Sequence, residues 1–289
     1  MNPNIPEDKR RLLDQIVTQL SAIPGMAAIV LGGSYASGTA RPDSDMDIGL
    51  YYHEDSPFSL DDVKRVAGEI ADGSHFIVTG FYEWGAWVNG GAWIYNPTSK
   101  VDFLYRNIDQ LQRTIDEAKR GTLRHDYGQQ PAYGFYSVIY LAETQICVPL
   151  YDPQGLIAAL KESVAVYLPE MKERIVHDSL WSIEFTLLHG RGFAGQGDVY
   201  NTVGCLARAA ANLTQALFAL NETYFIRDKQ VMRVIAGFPI VPSGYVEQVT
   251  GILAHPGSST AELNHAIEQM HAVWQSVIAL TNGLYQPKF

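Results

Sequence analysis

The sequence predicts an α+β fold in which a small mixed sheet flanked by helices is followed by an α-helical bundle. Short apolar or alternating runs typical of strands occur between residues 27 and 105, whereas only helix-spaced apolar stripes occur after about residue 107. We therefore expect two domains, residues 1–110 and 111–289. A chain of 289 residues is long enough for each domain to bury its own core.

The N-terminal part alternates helices and strands. Apolar residues from Leu12 to Leu20 predict a helix that follows Pro6, and Ala27–Leu31 predicts a strand. A loop rich in Gly, Ser and Pro covers residues 32–44 and leads into a second strand, Met46–Tyr52. The later expectations are a helix capped by Ser59, extended segments at Phe76–Trp87, Ala92–Tyr95 and Val101–Tyr105, a hairpin turn at Asn89-Gly90, and helices at Ile108–Lys119, Gly134–Ile146, Leu156–Tyr167, Met171–His189, Asn201–Asn221 and Leu263–Leu280.

The composition disfavours several classes of binding partner. The net charge is −10, and residues 1–110 hold 15 acidic against 8 basic side chains, so a long nucleic acid is a disfavoured partner. No apolar run approaches the roughly 20 residues of a membrane span, and the N-terminus lacks the features of a signal peptide. With only two cysteines, Cys147 and Cys205, a disulfide framework is not expected. These features predict a cytoplasmic protein without a membrane partner.

Clustered carboxylates carry the chemistry. Asp45 and Asp47 stand two apart at the start of a predicted strand, so both carboxylates face the same way. Two like charges this close favour a hard divalent cation between them, and Mg²⁺ suits carboxylate and phosphate oxygens. Upstream, Gly32-Gly33-Ser34 leaves a strand without bulky side chains and could present backbone N–H groups and a hydroxyl to an anion. Asp102, between apolar strand residues, is a third carboxylate placed to reach the same site.

These residues resemble the DNA polymerase β-like nucleotidyltransferase superfamily. The segment GGSYASGTARPDSDMDIGL, residues 32–50, is similar to its small and antibiotic-modifying members, although many members carry Arg at the position of Ser37. The resemblance implies that Gly32, Gly33 and Ser34 hold a nucleoside triphosphate. It also implies that Asp45 and Asp47 bind one or two Mg²⁺ ions, while Asp102 completes the metal site and helps to activate the acceptor hydroxyl.

The second half resembles the helical domains of bacterial nucleotidyltransferases of the kanamycin and lincosamide type. The likeness rests on Ala216–Asn221, Tyr224, Lys229, Pro239 and the helix-opening turn Asp152–Gly155. The whole resemblance implies an enzyme that moves a nucleoside monophosphate, AMP with ATP as the donor, to a hydroxyl of a small-molecule acceptor and releases pyrophosphate. The helical domain would bind the acceptor in a cleft between the domains. The sequence has no signature of the oligomeric state.

Further candidates surround this motif. Arg41 and Lys100 could neutralise phosphates or could be solvated charges, and Ser44 is a further candidate for nucleotide binding. Glu143, the only carboxylate in the apolar stretch 135–150, is a candidate general base. Alternatively, it pairs with an arginine as a structural contact or faces solvent on the outer side of its helix. The aromatic residues of the segment 81–105 could wall an acceptor pocket, although filling a half-buried sheet explains most of them.

Two other functions fit part of the pattern. A D-x-D glycosyltransferase uses similar metal chemistry, but it would require neither Gly-Gly-Ser upstream nor Asp102 downstream. A non-catalytic regulatory protein could bind a nucleotide through the same fold, but all three acidic positions are present here. We therefore expect a metal-dependent nucleotidyltransferase.

Overall fold

A computed structural model describes residues 5–288. Within them the helices are α1 Glu7–Ser21, α2 Gly33–Ala36, α3 Leu60–Ala71, α4 Ile108–Ala118, α5 Val138–Ile146, α6 Leu156–Ser163, α7 Pro169–Gly195, α8 Val199–Leu220, α9 Val231–Ile235, α10 Tyr245–Ala254 and α11 Thr260–Ile278. The strands are β1 Ala28–Leu31, β2 Met46–Tyr52, β3 Phe76–Val78, β4 Gly91–Tyr95, β5 Lys100–Asn107, β6 His125–Asp126, β7 Phe135–Tyr136 and β8 Val148–Tyr151. This arrangement confirms the predicted α+β class.

The described chain divides into two compact units. The first contains the residues up to Asp116, together with His125–Gln129 and Phe135–Val166. The second contains Glu117–Arg124, Gln130–Gly134 and the residues from Tyr167 onward. The units therefore do not follow the expected division at residue 110, because the chain after α4 returns to the first unit and adds α5, β8 and α6 to it.

A mixed sheet of six strands, in the order β3-β4-β5-β2-β1-β8, organises the first unit. Strands β2 and β5 run parallel and pair Asp47 with Asp102, whereas the other neighbours in the sheet are antiparallel. Because β2 and β5 share a direction, their N-terminal ends lie side by side. This edge of the sheet brings together residues that are 55 positions apart in the sequence.

The two faces of the sheet differ in composition. One face packs against the apolar stripes of α1 and α3, and its strand residues include Ile48 and Leu50 of β2 and Val101 and Phe103 of β5, all fully buried. Side chains alternate along a strand, so Asp47 and Asp102 project from the opposite face. We call the part of this face around Asp47 and Asp102 the open face; farther along β5, Arg106 on the same face is buried. Burial of one face thus fixes the direction in which the carboxylates point, because a shift of one residue would bury them.

Three local expectations were wrong. Only Phe76–Val78 of the extended segment 76–87 forms a strand, because the backbone turns at Tyr82 and Gly85, which have φ of +60° and +111°. Consequently Asn89-Gly90 does not form a two-residue hairpin turn but ends a longer loop between β3 and β4. Strand β8 lies inside the part expected to be helical, and its Pro149 is tolerated because β8 is an edge strand.

Helices dominate the second unit. Helices α7, α8 and α11 contact one another, and the buried Trp274 of α11 donates a hydrogen bond to the Leu180 carbonyl of α7 at 3.1 Å. Helix α8 is long and apolar enough to cross a membrane by length and composition, but 61% of its apolar window is buried inside the protein. That burial is typical of a core helix in a bundle.

Candidate active site

The predicted carboxylates meet at one end of the open face. Asp45 immediately precedes β2, Asp47 is its second residue, and Asp102 is the third residue of β5. The register places Asp47 directly opposite Asp102. The fold therefore brings these three residues to one edge of the sheet, as their spacing predicts.

A lysine joins two of these carboxylates. The Lys100 ammonium lies 3.1 Å from Asp45 Oδ2 and 3.1 Å from Asp102 Oδ2. Lys100 stands two residues before Asp102 on β5, so the two side chains share the open face. The sequence suggested a phosphate contact or a solvated charge for Lys100, and the bridging role was missed because it depends on strand pairing.

Burial and charge act against each other in this cluster. Burial is the main cause that raises the pKa of the Asp102 carboxyl; the ammonium of Lys100 opposes this effect and the charge of Asp45 adds to it. Partial burial acts to lower the pKa of Lys100, but hydrogen bonds to Asp102 and Asp45 outweigh it and raise that pKa. Each ion in the cluster thus depends on its neighbours for stabilisation.

The carboxylates at this edge match a metal site only in part. Among residues 5–288 no group of three or more His, Cys, Asp or Glu side chains is gathered closely enough to hold one, so the expected three-carboxylate cluster is not preassembled. However, Asp45 and Asp102 already share one cation, and Asp102 Oδ1 is buried without a hydrogen-bond partner. A buried carboxylate oxygen without a partner is costly unless a ligand satisfies it. The residues present therefore fit a cation with oxygen ligands.

Asp47 lies against the glycine turn. Gly33 has φ of +56°, a left-handed conformation that favours glycine, and a Cβ added to it would lie 1.7 Å from Asp47 Oδ2. The Gly32 amide also donates to the Asp47 carbonyl at 2.8 Å, which continues the pairing of β1 with β2. The structure thus requires glycine at position 33, the residue immediately before Ser34.

The loop between this turn and Asp45 is held by a residue that sequence reasoning missed. Lys9 of α1 donates to the carbonyls of Pro42 at 2.9 Å and Ser44 at 2.7 Å, although its side chain is almost fully buried. The Ser44 hydroxyl accepts from the Arg41 amide at 2.9 Å. A signal existed in the sequence, since Lys9 occupies a position on the apolar stripe of α1, where a buried lysine needs partners.

Arg41 does not reach the carboxylate cluster. Its guanidinium pairs with Asp43 at 3.3 Å, and both side chains are exposed. Ser44 accepts hydrogen bonds through its hydroxyl and its carbonyl, and both bonds stabilise the conformation of the loop. The nucleotide-binding roles expected for Arg41 and Ser44 stay predictions.

Tryptophans extend the open face beyond Asp102. Trp93 of β4 is the cross-strand partner of Asp102 and is 41% exposed, and Trp84 stacks on it with ring centroids 4.8 Å apart. Tyr95, two residues on, pairs with Lys100 and is also exposed. Cross-strand partners on one face have Cβ atoms about 5 Å apart, so an apolar platform adjoins the carboxylates.

Glu143 lies in a different environment from the carboxylate cluster. Its two carboxylate oxygens accept three hydrogen bonds from the Arg106 guanidinium, at 2.8 to 3.0 Å. Arg106 also donates to the Tyr105 carbonyl, and its guanidinium lies 5.5 Å from the centre of the Tyr140 ring. Of the positions that the sequence allowed for Glu143, the structure shows the arginine pair.

The comparisons with known proteins concern mainly the N-terminal part of the chain. Residues 13–84 match the family described as the nucleotidyltransferase domain, a segment that contains the glycine turn, Asp45 and Asp47. This match confirms the resemblance to the polymerase β-like superfamily and supports nucleotidyl transfer as the coarse function. No curated protein matches the sequence. Among solved structures, a nucleotidyltransferase-like protein from Exiguobacterium sibiricum is similar, with a TM-score of 0.49, 10% identity, and coverage of 96% of this chain and 78% of that one.

Proposed function

We propose that this protein is a cytoplasmic, magnesium-dependent nucleotidyltransferase that transfers a nucleoside monophosphate to a hydroxyl of a small-molecule acceptor. The donor is a nucleoside triphosphate, with ATP as the first candidate, and pyrophosphate leaves. The observation that carries this proposal is the placement of Asp45, Asp47 and Asp102 at one edge of the sheet, with Asp47 against the Gly33 turn. The family match over residues 13–84 supports the reaction class.

Asp45, Asp47 and Asp102 would hold the metal, with two Mg²⁺ ions expected. When bound, the metal supplies Lewis-acid chemistry: it lowers the pKa of a hydroxyl and neutralises negative charge on phosphates. The protein's own contribution is positioning and charge stabilisation. The amides and hydroxyl around Gly33 and Ser34 hold the phosphates in this proposal, and Asp102 faces the acceptor.

The side chains around Asp102 support its assignment to the acceptor. Asp102 lies between Asp47 on one neighbouring strand and Trp93 on the other. The raised pKa of its carboxyl suits a group that accepts a proton from a hydroxyl. The exposed ring of Trp93 offers an apolar surface next to it, which favours a small acceptor with a flat or ring-shaped face. The net charge of −10 disfavours a polyanionic acceptor.

The proton-accepting role belongs to Asp102 in this proposal and not to Glu143. Three hydrogen bonds from Arg106 occupy both oxygens of Glu143, so this carboxylate has a structural partner already. The helical second unit is proposed to serve acceptor binding. A D-x-D glycosyltransferase is the second candidate, because the carboxylate pair alone would also suit a sugar nucleotide.

The proposal is tested by incubating the protein with α-³²P-labelled triphosphates, Mg²⁺ and a panel of hydroxyl-bearing acceptors, including the protein itself. We expect label transfer and pyrophosphate release that both stop when EDTA is added. Calorimetry of Asp45→Asn and Asp47→Asn should show that metal-dependent nucleotide binding is weakened in each. Unchanged binding in both variants would place the metal elsewhere and contradict the proposal. Turnover of a sugar nucleotide without any triphosphate activity would favour the glycosyltransferase.

A further inference from the structure

The ammonium of Lys100 occupies the space between two carboxylates that we assign to the metal. It lies 3.1 Å from one oxygen of Asp45 and 3.1 Å from one oxygen of Asp102. Its side chain is 31% exposed, so solvent reaches this cation from the open face. A single positive charge therefore holds together two acidic groups that come from different strands.

The ion pairs of Lys100 do not satisfy every oxygen of the two carboxylates. Lys100 donates only to the Oδ2 atoms, while Asp102 Oδ1 stays buried without a hydrogen-bond partner. One ammonium also carries half the charge of a divalent ion. The two carboxylates can thus bind a divalent cation more strongly than they bind the Lys100 ammonium.

A second lysine of the same unit shows what a permanent structural lysine looks like. Lys9 is only 5% exposed and donates to two backbone carbonyls that cannot change their charge. Lys100 is more exposed, and both of its hydrogen bonds go to carboxylates that we propose as metal ligands. The geometry fits a group that can leave its partners, because its long side chain can carry the ammonium into solvent.

We propose that Lys100 is a displaceable counter-cation that occupies the place of the metal until a metal and a triphosphate arrive together. This inference rests on the proposed metal site of Asp45, Asp47 and Asp102. A free divalent ion must push the ammonium away from the carboxylates and is repelled by it at close range. A triphosphate removes this penalty, since its negative charge accepts the displaced ammonium. Lys100 thereby makes metal binding depend on the nucleotide.

The test measures binding of Mn²⁺ by electron paramagnetic resonance, without nucleotide and with α,β-methylene-ATP, which resists transfer at the α-phosphorus. Lys100→Met should bind free Mn²⁺ about tenfold or more tightly than the unaltered protein, because removing a charge a few ångströms away is worth that much. The gain in Mn²⁺ affinity caused by the nucleotide should shrink, because the metal and the nucleotide are linked through the same lysine. Lys100→Arg keeps the charge and should bind free Mn²⁺ weakly.

The matched control is Lys64→Met, which removes the same charge from an exposed position on α3. It should leave Mn²⁺ binding unchanged. Far-ultraviolet circular dichroism checks that each variant is folded, and Lys100→Gln replaces Lys100→Met if the latter is not. Equal or weaker binding of free Mn²⁺ in a folded, uncharged variant overturns the proposed role of Lys100 while leaving the metal site standing. Mn²⁺ binding that is insensitive to Asp45→Asn, with or without nucleotide, overturns the metal site itself and the inference with it.

Discussion

Strand β5 carries two ion clusters on the same face, and they are built in opposite ways. At its start, Lys100 bridges Asp45 and Asp102 through one hydrogen bond to each. Near its end, the Arg106 guanidinium gives Glu143 three hydrogen bonds and lies against the Tyr140 ring. Asp102 and Arg106 are four residues apart, about 13 Å along a strand.

The difference distinguishes a candidate functional site at the start of β5 from a structural ion pair near its end. The side chain of Arg106 is 6% exposed, and it contacts Glu143, the Tyr105 carbonyl and the Tyr140 ring. The start of the strand combines an unpartnered Asp102 oxygen with a backbone turn at Gly33 that only glycine adopts easily. Functional sites tend to carry such costs, because the groups that bind a ligand must be left unsatisfied without it. We infer that the start of β5 does chemistry and that its end maintains the fold.

The largest expected effect is on catalysis. Asp102→Asn should lower turnover by about 10²-fold or more, the usual value of general-base assistance, while nucleotide affinity changes only a few-fold. The amide keeps the shape of the side chain but cannot accept the proton. Steady-state turnover and nucleotide calorimetry on the same preparation measure the two quantities. Asp14→Asn, on the exposed side of α1, is the control. Normal turnover in Asp102→Asn would reduce this residue to an ordinary strand carboxylate.

The next effect is on stability and concerns the other end of the strand. Glu143→Ala leaves the buried Arg106 guanidinium without its partner and should cost about 3–5 kcal/mol of unfolding free energy. The paired change Arg106→Met with Glu143→Leu should cost much less, since neither charge remains. Urea unfolding of the first unit's tryptophan signal measures both. Glu143→Gln should keep an unaltered pH–rate profile; loss of the acidic limb would restore Glu143 as the general base.

A smaller effect is expected at the glycine turn. Ser34→Ala should weaken nucleotide binding by about 1.5–3 kcal/mol, the range for one hydrogen bond to a charged group. Gly33→Val should do more, because its Cβ would collide with the Asp47 carboxylate and φ at this position is +56°. Calorimetry with a triphosphate ranks the two variants. Equal affinity in a folded Gly33→Val protein would mean that the phosphates bind elsewhere.

Periodic features were predictable from the sequence. Strand β2 has the predicted bounds, and Ser59 caps α3 by accepting from the Asp62 amide, because both depend on neighbours in the chain. The face on which Asp47 projects also follows from alternation within β2. In these cases local chemistry decides the structure before tertiary contacts form.

Features that depend on strand pairing were not predictable. The bridge from Lys100 to Asp45 needs the parallel register of β2 and β5, which no local pattern specifies. The edge strand β8 was hidden by Pro149, and the contact of Lys9 with the loop needs the packing of α1. Glu143 shows the same limit: its position in an apolar helix suggested a base, an ion pair or a solvent-facing carboxylate, and the pair with Arg106 is visible only in the folded structure.

The smallest effect is a pH dependence of stability, which Asp102 and a second aspartate should show with opposite signs. Burial raises the pKa of Asp102 above the ordinary value of about 3.9, so the folded protein holds this proton more tightly than the unfolded chain. The stability that Asp102 contributes is therefore lost as pH rises through its folded pKa. From about pH 4 upward, the free energy of unfolding of Asp102→Asn should increase relative to that of the unaltered protein. For Asp109, hydrogen bonding from the Glu54 amide lowers the pKa, so its contribution is present above about pH 3.9 and is lost as pH falls through the folded value. As pH rises through that acidic window, Asp109→Asn should therefore lose stability relative to the unaltered protein. Urea unfolding in EDTA between pH 3 and 7 measures both differences, and slopes of the same sign would show that the Asp102 carboxyl is not held at a cost in the metal-free protein.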